Sequence, residues 1–195
     1  WTLATYMIEG GSSRNFATAK RWAFSDPESF CALLMLLAEA VADHLVAQVE
    51  AGAEALQIFD SWAGAVPARA FERCCLAPLA EITRRVKARC PGVPIIAFPR
   101  GAGIGYQGYA AATGVDGLSL DATIPTAWGA GFDATAVQGN LDPQCLAAGG
   151  AQMAAAVAEI LSDMSGRGFV FNLGHGVVPD TPVEHVGELV SLVRN

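Results

Sequence analysis

Short apolar segments alternate with helical segments along the sequence, and this alternation restricts the fold more than any other feature. The apolar segments of strand length are 55–59, 93–98, 117–120, 134–138 and 168–173. The stretches between them are long enough to hold helices, and none carries a hairpin signal. Because strands that are apolar on both faces belong in parallel sheets covered by helices, the sequence predicts an α/β fold. An open doubly wound sheet and a closed barrel both fit this pattern.

The predicted helices begin and end at recognisable signals. Ser25-Asp26-Pro27-Glu28 predicts a capped start for a long amphipathic helix that ends at Gly52. Thr181-Pro182-Val183-Glu184 predicts a second capping box, before a terminal helix. Residues 1–9 are apolar and precede a Gly-Gly-Ser-Ser turn, so we interpret them as the tail of a strand. The remaining predicted helices are 15–24, 68–89, 106–113, 125–130 and 151–164.

Composition and charge exclude several classes of protein. With 52% hydrophobic and 16% charged residues, the 195-residue chain is predicted to be globular, and no linker divides it. A net charge of −7 disfavours binding to nucleic acid, because that binding depends on Lys and Arg neutralising phosphates. Apolar runs such as 31–38 are interrupted by Glu39 and Asp43, so we expect no membrane segment and a cytoplasmic protein.

The cysteines and histidines form no local metal-binding motif. The five cysteines are odd in number and scattered through predicted helices, which indicates reduced thiols rather than a disulfide framework. No Cys-x-x-Cys pair and no His-x-x-x-His spacing occurs, so no metal site is expected. His44 and His185 fall within amphipathic helices, where surface or core-edge positions are expected.

Polar residues lie near the carboxyl ends of the predicted strands. In a parallel barrel these ends converge on one mouth, which is where such enzymes keep their catalytic residues. We therefore expect a functional site to be built from members of this set. The residues at these positions are Asp60, Ser61, Arg100, Asp121, Asn140 and His175.

Tyr6, Ser61 and His175 are the candidates for ligand contacts. His175 lies between Gly174 and Gly176, so the backbone can bend and present the imidazole as a hydrogen-bond donor, acid or base. Ser61 lies outside any Gly-x-Ser-x-Gly elbow, which favours a hydrogen bond to a ligand oxygen over nucleophilic attack. Tyr6 can offer its phenol O–H. The alternatives are a histidine that ties down its loop, a serine cap and a core tyrosine.

Several blocks of the sequence resemble the uroporphyrinogen decarboxylase family in their order and spacing. The resemblance implies a distorted (β/α)8 barrel of the TIM type, which the chain enters at about the end of its third strand. Residues 1–195 would then be the C-terminal part of a single barrel domain, an incomplete barrel that runs to strand 8. One departure is Ala122, where the family usually has tryptophan. The matching blocks are Trp1-Thr2-Leu3-Ala4-Thr5-Tyr6-Met7-Ile8-Glu9-Gly10, Gln57-Ile58-Phe59-Asp60-Ser61-Trp62-Ala63-Gly64, Gln138-Gly139-Asn140-Leu141-Asp142-Pro143 and Asn172-Leu173-Gly174-His175-Gly176.

The resemblance also implies an activity. Members of that family decarboxylate the four acetate side chains of uroporphyrinogen III to give coproporphyrinogen III in haem biosynthesis, without a metal or an organic cofactor. It further implies that Tyr6, Ser61 and His175 bind the substrate, and that the parent protein is a cytoplasmic homodimer. The family's catalytic aspartate and arginine-rich segment lie upstream of Trp1. No residue of this chain is therefore assigned a catalytic role, and we expect the chain alone to be inactive.

Two other functions stay open. A corrinoid or thiol methyltransferase of the same superfamily would bind zinc through cysteine and histidine near strand ends. Here Cys74, Cys75 and Cys90 lie in or just after a predicted helix, and no cysteine adjoins His175. A non-catalytic partner subunit is the second alternative. Its open barrel would expose strand edges and apolar surface, so we expect it to associate or aggregate.

Overall fold

The computed structural model describes residues 1–132 and 136–194, and the chain divides into two units, Trp1–Asp116 and Gly117–Asn195. A π-helical turn joins α4 to α5 in the first unit. The first unit contains α1 (Thr2–Glu9), α2 (Ala17–Ser25), α3 (Pro27–Glu50), β1 (Leu56–Phe59), α4 (Ala68–Phe71), the π turn (Glu72–Leu76), α5 (Ala77–Arg89), β2 (Ile95–Phe98) and α6 (Tyr109–Thr113). The second contains β3 (Gly117–Ser119), α7 (Thr126–Gly129), β4 (Ala136–Leu141), α8 (Pro143–Ala148), α9 (Gly150–Asp163), β5 (Phe169–Leu173) and α10 (Val183–Arg194).

Within each unit the paired strands are parallel. In the first unit β1 pairs with β2 from Leu56 opposite Ile95 to Phe59 opposite Phe98. In the second unit β4 lies between β3 and β5 and is parallel to both. Each connection between paired strands contains at least one helix. The predicted α/β fold is confirmed, and the alternation in each unit is that of an incomplete (β/α)8 barrel.

Residues 1–9 form helix α1 rather than the predicted tail of a strand. Trp1, Ala4 and Thr5 are buried, and Ile8 packs against the same cluster. This is the i, i+3, i+4, i+7 spacing of a helix face. Gly10 ends the helix in the left-handed region with φ 64°. In the described part of the chain the incomplete barrel therefore begins at β1, with no remnant of a preceding strand.

Helix α3 supplies the longest apolar face of the first unit. Asp26 caps it by accepting a hydrogen bond from the backbone N of Ser29 at 3.2 Å, and Pro27 fills the first turn, where no N–H is needed. The predicted start is confirmed, but Asp26 rather than Ser25 supplies the capping side chain. The residues of α3 that face the core recur at helical spacing. Its buried residues are Phe30, Leu34, Ala38, Ala42, Leu45 and Val46.

Helix α3 is also long and apolar enough to cross a membrane, and it is the one such helix in the described ranges. We expected Glu39 and Asp43 to make the apolar run too short to cross a membrane. Judged by the length and composition of α3, that expectation is wrong. In the structure these two carboxylates pair with α5, Glu39 with Arg85 at 3.3 Å and Asp43 with Arg89 at 2.6 Å. The buried face of α3 packs within the first unit.

In the second unit α9 and α10 pack beside β4 and β5. Strand β4 extends to Leu141, so Asn140 lies inside the strand rather than in the predicted exit loop. Ala134, where that strand was predicted to start, lies outside the described residues. Oγ1 of Thr181 is buried without a hydrogen-bond partner among the described residues, so the predicted capping box does not form. The core residues of this unit are Leu141, Leu146, Met153, Val157, Ile160, Leu173 and Leu189.

An ion pair that depends on pH anchors the start of β2. Asp116 accepts hydrogen bonds from the backbone N of Ile95 at 2.9 Å and from Nζ of Lys87 at 2.8 Å. Burial raises the pKa of Asp116, but these hydrogen bonds outweigh it and hold the pKa below its ordinary value. Its stabilisation is therefore present above the unfolded pKa of about 4 and is lost as pH falls through the lowered folded pKa.

We expect Asp116→Asn to flatten the loss of stability on acidification. Urea denaturation between about pH 2 and pH 7 should show a smaller fall in unfolding free energy for the variant than for the unmodified chain. At pH 7 the loss should stay below about 1 kcal/mol, because both side chains are partly solvated. Asp180→Asn, at an exposed loop position, is the control. Equal pH slopes for the unmodified chain and Asp116→Asn would contradict this assignment.

Candidate active site

Hydrogen bonds tie the carboxyl end of β1 to the first turn of α1. Thr2 donates twice to Oδ1 of Asp60, from its backbone N at 3.0 Å and from Oγ1 at 2.5 Å. The backbone N of Trp62 in turn donates to Oγ1 of Thr2 at 3.0 Å. The residues immediately before and after Ser61 are therefore both fixed to α1, and Ser61 itself is half-buried between them.

Tyr6 lies one turn further along α1 and reaches the same strand end. Its hydroxyl accepts a hydrogen bond from Nε1 of Trp62 at 3.1 Å. The indole is held from another side by Phe16, with ring centroids 5.2 Å apart. Tyr6 remains 54% exposed, so its phenol is both anchored and accessible. The structure thus places Tyr6 and Ser61 at the same end of β1.

The loops that follow β1 and β2 touch through their backbones. The backbone N of Gly64 donates to the carbonyl of Arg100 at 3.0 Å. A Cβ atom on Gly64 would lie 2.7 Å from the carbonyl carbon of Gly101, so only glycine allows this approach. In this contact Arg100, one of the strand-end candidates, takes part through its main chain.

A cavity of about 340 Å³ lies behind β1 in the first unit, lined by residues of α1, α3, β1, α5, α6 and the π turn. Asp60, Cys75 and Tyr109 are among its polar groups. Burial raises the pKa of the Cys75 thiol, and the neighbouring Asp60 raises it further. The pKa of Tyr109 is raised in the same way, by burial first and then by Asp60. Both groups are therefore neutral near pH 7.

The cysteines bear on the zinc-dependent alternative. All five are free thiols, and Cys74 and Cys75 are buried. Burial raises the pKa of Cys74 as it does that of Cys75. Within the described residues no group of three or more His, Cys, Asp and Glu side chains could hold a metal ion. These observations give the methyltransferase reading no support.

His175 follows β5 in the second unit, on a loop whose backbone is pinned. The backbone N of Gly174 donates to the carbonyl of Leu141 at 2.7 Å. A Cβ atom on Gly174 would lie 2.8 Å from both Cα and Cβ of Ala122, so the two loops pack without room for a side chain. His175 itself is exposed. The strand end therefore presents the imidazole at the surface from a fixed backbone.

Asp121 and Asn140 hold the loop between β3 and α7 together. Asp121 is buried and accepts hydrogen bonds from the backbone N and the hydroxyl of Thr123, at 2.9 and 2.5 Å. Nδ2 of Asn140 donates to the carbonyls of Asp121 and Ile124, at 2.9 and 2.7 Å. Both residues were strand-end candidates, and the contacts described here are structural.

Sequence reasoning missed Thr2 and Trp62. Both lie inside blocks that carry the family resemblance, but neither is adjacent in sequence to its partner. The helical spacing of Trp1, Ala4 and Thr5 was the available signal, because a helix there places Thr2 and Tyr6 one turn apart on the same side.

The sequence of the chain is similar to those of known proteins. Residues 1–195 match the family described as "Uroporphyrinogen decarboxylase (URO-D)". The chain is 50% identical over 196 residues to the uroporphyrinogen decarboxylase of Rhodospirillum rubrum, covering 100% of this chain and 56% of that protein. It is 49% identical to the protein of the same name in Rhizorhabdus wittichii and 47% identical to that of Chelativorans sp., and covers 57% of each. The chain therefore spans less than two thirds of the length of these relatives.

Proposed function

The chain belongs to the uroporphyrinogen decarboxylase family, and on that premise we propose that its protein decarboxylates uroporphyrinogen III. The reaction removes CO2 from the four acetate side chains and gives coproporphyrinogen III, without a cofactor. The observation that carries this proposal is the 50% identity, over the whole of this chain, to a protein named uroporphyrinogen decarboxylase. A cytoplasmic location and a homodimer belong to the same proposal and rest on the resemblance alone.

Tyr6, Ser61 and His175 are proposed to contact the substrate. A phenol, a hydroxyl and an imidazole can each donate a hydrogen bond to a carboxylate oxygen, and uroporphyrinogen carries eight carboxylates. Two observations support this role. Tyr6 is anchored yet accessible at the carboxyl end of β1, beside Ser61, and His175 is exposed directly after β5. Strand ends of this kind are where parallel barrels bind their ligands.

The chemical step requires an electron acceptor for the departing carboxyl group. A pyrrole ring protonated on carbon can accept those electrons itself, so the protein needs to position the macrocycle and stabilise the developing cation. The residues proposed here serve the positioning. By the resemblance, the aspartate that stabilises the cation and the arginines that hold the carboxylates are upstream of Trp1. We therefore expect this chain to be inactive when it is assayed alone.

A chimera tests the proposed function directly. This chain would replace the matching 196 residues of the Rhodospirillum rubrum relative, which supplies the remainder of the protein. We expect the chimera to convert uroporphyrinogen III to coproporphyrinogen III under anaerobic conditions, as measured by chromatography of the oxidised porphyrins. A soluble, folded chimera without this activity would contradict the proposal. Coproporphyrinogen formation by the isolated chain would contradict its expected inactivity.

Substitutions in the active chimera test the three contacts. We expect Tyr6→Phe, Ser61→Ala and His175→Ala each to lower kcat/KM by about 10- to 100-fold, since each removes one hydrogen bond to a charged group. His44→Ala is the matched control for the histidine, because His44 is exposed on α3 and bonds to Gln48. A change in kcat/KM below twofold for all three variants would show that these residues do not bind the substrate.

A further inference from the structure

We infer that Trp62 is a positioning residue that fixes the hydroxyl of Tyr6 as a hydrogen-bond donor to the ligand. This inference rests on the proposed function and extends it to a residue outside the predicted binding set. It concerns the direction of one hydrogen bond, and that direction decides which chemical groups Tyr6 can recognise.

The direction follows from the chemistry of the two groups. An indole N–H is a donor only, so in the 3.1 Å contact with Trp62 the phenol oxygen of Tyr6 is necessarily the acceptor. The hydrogen of the Tyr6 hydroxyl must then point away from the indole. Because Tyr6 is 54% exposed, that hydrogen remains available for a ligand.

Trp62 is held in place by contacts that do not involve Tyr6. Phe16 packs against its indole ring. Its main chain is fixed separately, because its backbone N donates to Oγ1 of Thr2. That oxygen is itself oriented, since the Thr2 hydroxyl donates to Asp60. The hydrogen bonds from Trp62 to Thr2 and from Thr2 to Asp60 therefore fix the backbone from which the indole extends. Phe16 supports the ring itself.

Tyr6 and Thr2 lie on the same helix, so the contacts of both depend on the position of α1. They are four residues apart in α1 and so lie on the same side of it. A shift of α1 along β1 would break the bonds of both residues to the strand end at once. The position of the Tyr6 hydroxyl at the end of β1 therefore depends on the contacts of both residues.

The chemistry of the ligand follows from this geometry. A hydroxyl that already accepts from Trp62 and donates outward selects acceptors, such as a carboxylate oxygen, over ammonium or guanidinium groups. Trp62 therefore contributes to the recognition of the substrate's carboxylates through Tyr6.

A double-mutant cycle in the active chimera tests this role. We expect Trp62→Phe, which keeps a ring against Phe16 but removes the N–H, to raise KM for uroporphyrinogen III about 3- to 10-fold and to change kcat less than twofold. In the Tyr6→Phe background the same substitution should change KM less than twofold, because its effect passes through the hydroxyl. Trp22→Phe is the matched control, since it removes the indole N–H bonded to Ser29 at 2.7 Å and should leave KM unchanged.

Two results would overturn the inference. One is an unchanged KM in Trp62→Phe, and the other is an equal rise in KM with and without the Tyr6 hydroxyl. A measurement without ligand separates this inference from the proposed function. In the 195-residue chain, exchange of the Trp62 indole hydrogen with solvent, followed by NMR, should speed up several-fold in Tyr6→Phe. An unchanged exchange rate would overturn the assigned hydrogen bond even if the chimera proved inactive.

Discussion

Gly174→Ala is expected to lower the free energy of unfolding by about 2–4 kcal/mol. The added methyl group would lie 2.8 Å from Cα and Cβ of Ala122 and still closer to its backbone N, so the backbone of one loop must move. Moving it also strains the hydrogen bond from Gly174 to the carbonyl of Leu141. Urea denaturation followed by far-UV circular dichroism measures the loss.

The other glycine beside His175 supplies the control. Gly176 has no heavy atom within 4 Å of the position that a Cβ would occupy, and its φ is not in the left-handed region. Gly176→Ala should therefore change stability by less than about 0.5 kcal/mol. Equal losses in the two variants would show that the close approach of Gly174 to Ala122 does not hold the loop. In the chimera we expect Gly174→Ala also to reduce activity, because it displaces the backbone that carries His175.

Phe30→Ala is expected to cost about 3–5 kcal/mol of stability, the range for truncating a fully buried phenylalanine. The ring is 0% exposed and contacts Trp1 and Trp22, with centroids 5.9 and 5.6 Å away. The cavity left behind cannot close easily, since Trp1 is held by the start of α1. The measurement is again urea denaturation, with tryptophan fluorescence as a second signal.

Leu36→Ala on the same helix is the matched control. Leu36 is 64% exposed, and its truncation should change stability by less than about 0.5 kcal/mol. Helix propensity barely distinguishes Phe30→Ala from Leu36→Ala, because both variants introduce alanine into the same helix. A loss below 1 kcal/mol in Phe30→Ala would mean that α3 does not pack against α1 as described.

The order of strands and helices was predictable because each element has its own period of apolar residues. Strand β5 and helices α3 and α9 lie close to their predicted positions. The errors have a common cause. Residues 1–9 are apolar enough for either a strand or a helix, and the packing of Trp1 and Ala4 on the unit's core decides for the helix. Asn140 was placed in a loop because Gly139 reads as a breaker, whereas pairing with β5 extends the strand through both residues.

In the candidate site, too, some features could be predicted from the sequence and others depend on how the chain packs. Tyr6, Ser61 and His175 could be named from their positions near strand ends and from the family resemblance. Whether Asp121 and Asn140 were binding residues could not be decided in that way. Their side chains bond to Thr123 and to two loop carbonyls, and such partners are set by how the loop closes.

The sequence by itself determined the α/β alternation, the approximate positions of the strands and the family of the chain. Those properties follow from the local periods of apolar residues and from blocks of contiguous sequence. Only the tertiary structure decided that Thr2, Asp60 and Trp62 join α1 to β1, and that Tyr6 accepts the hydrogen bond of an indole. These contacts link residues 56 to 60 positions apart, so they exist only once the core has packed α1 against the end of β1.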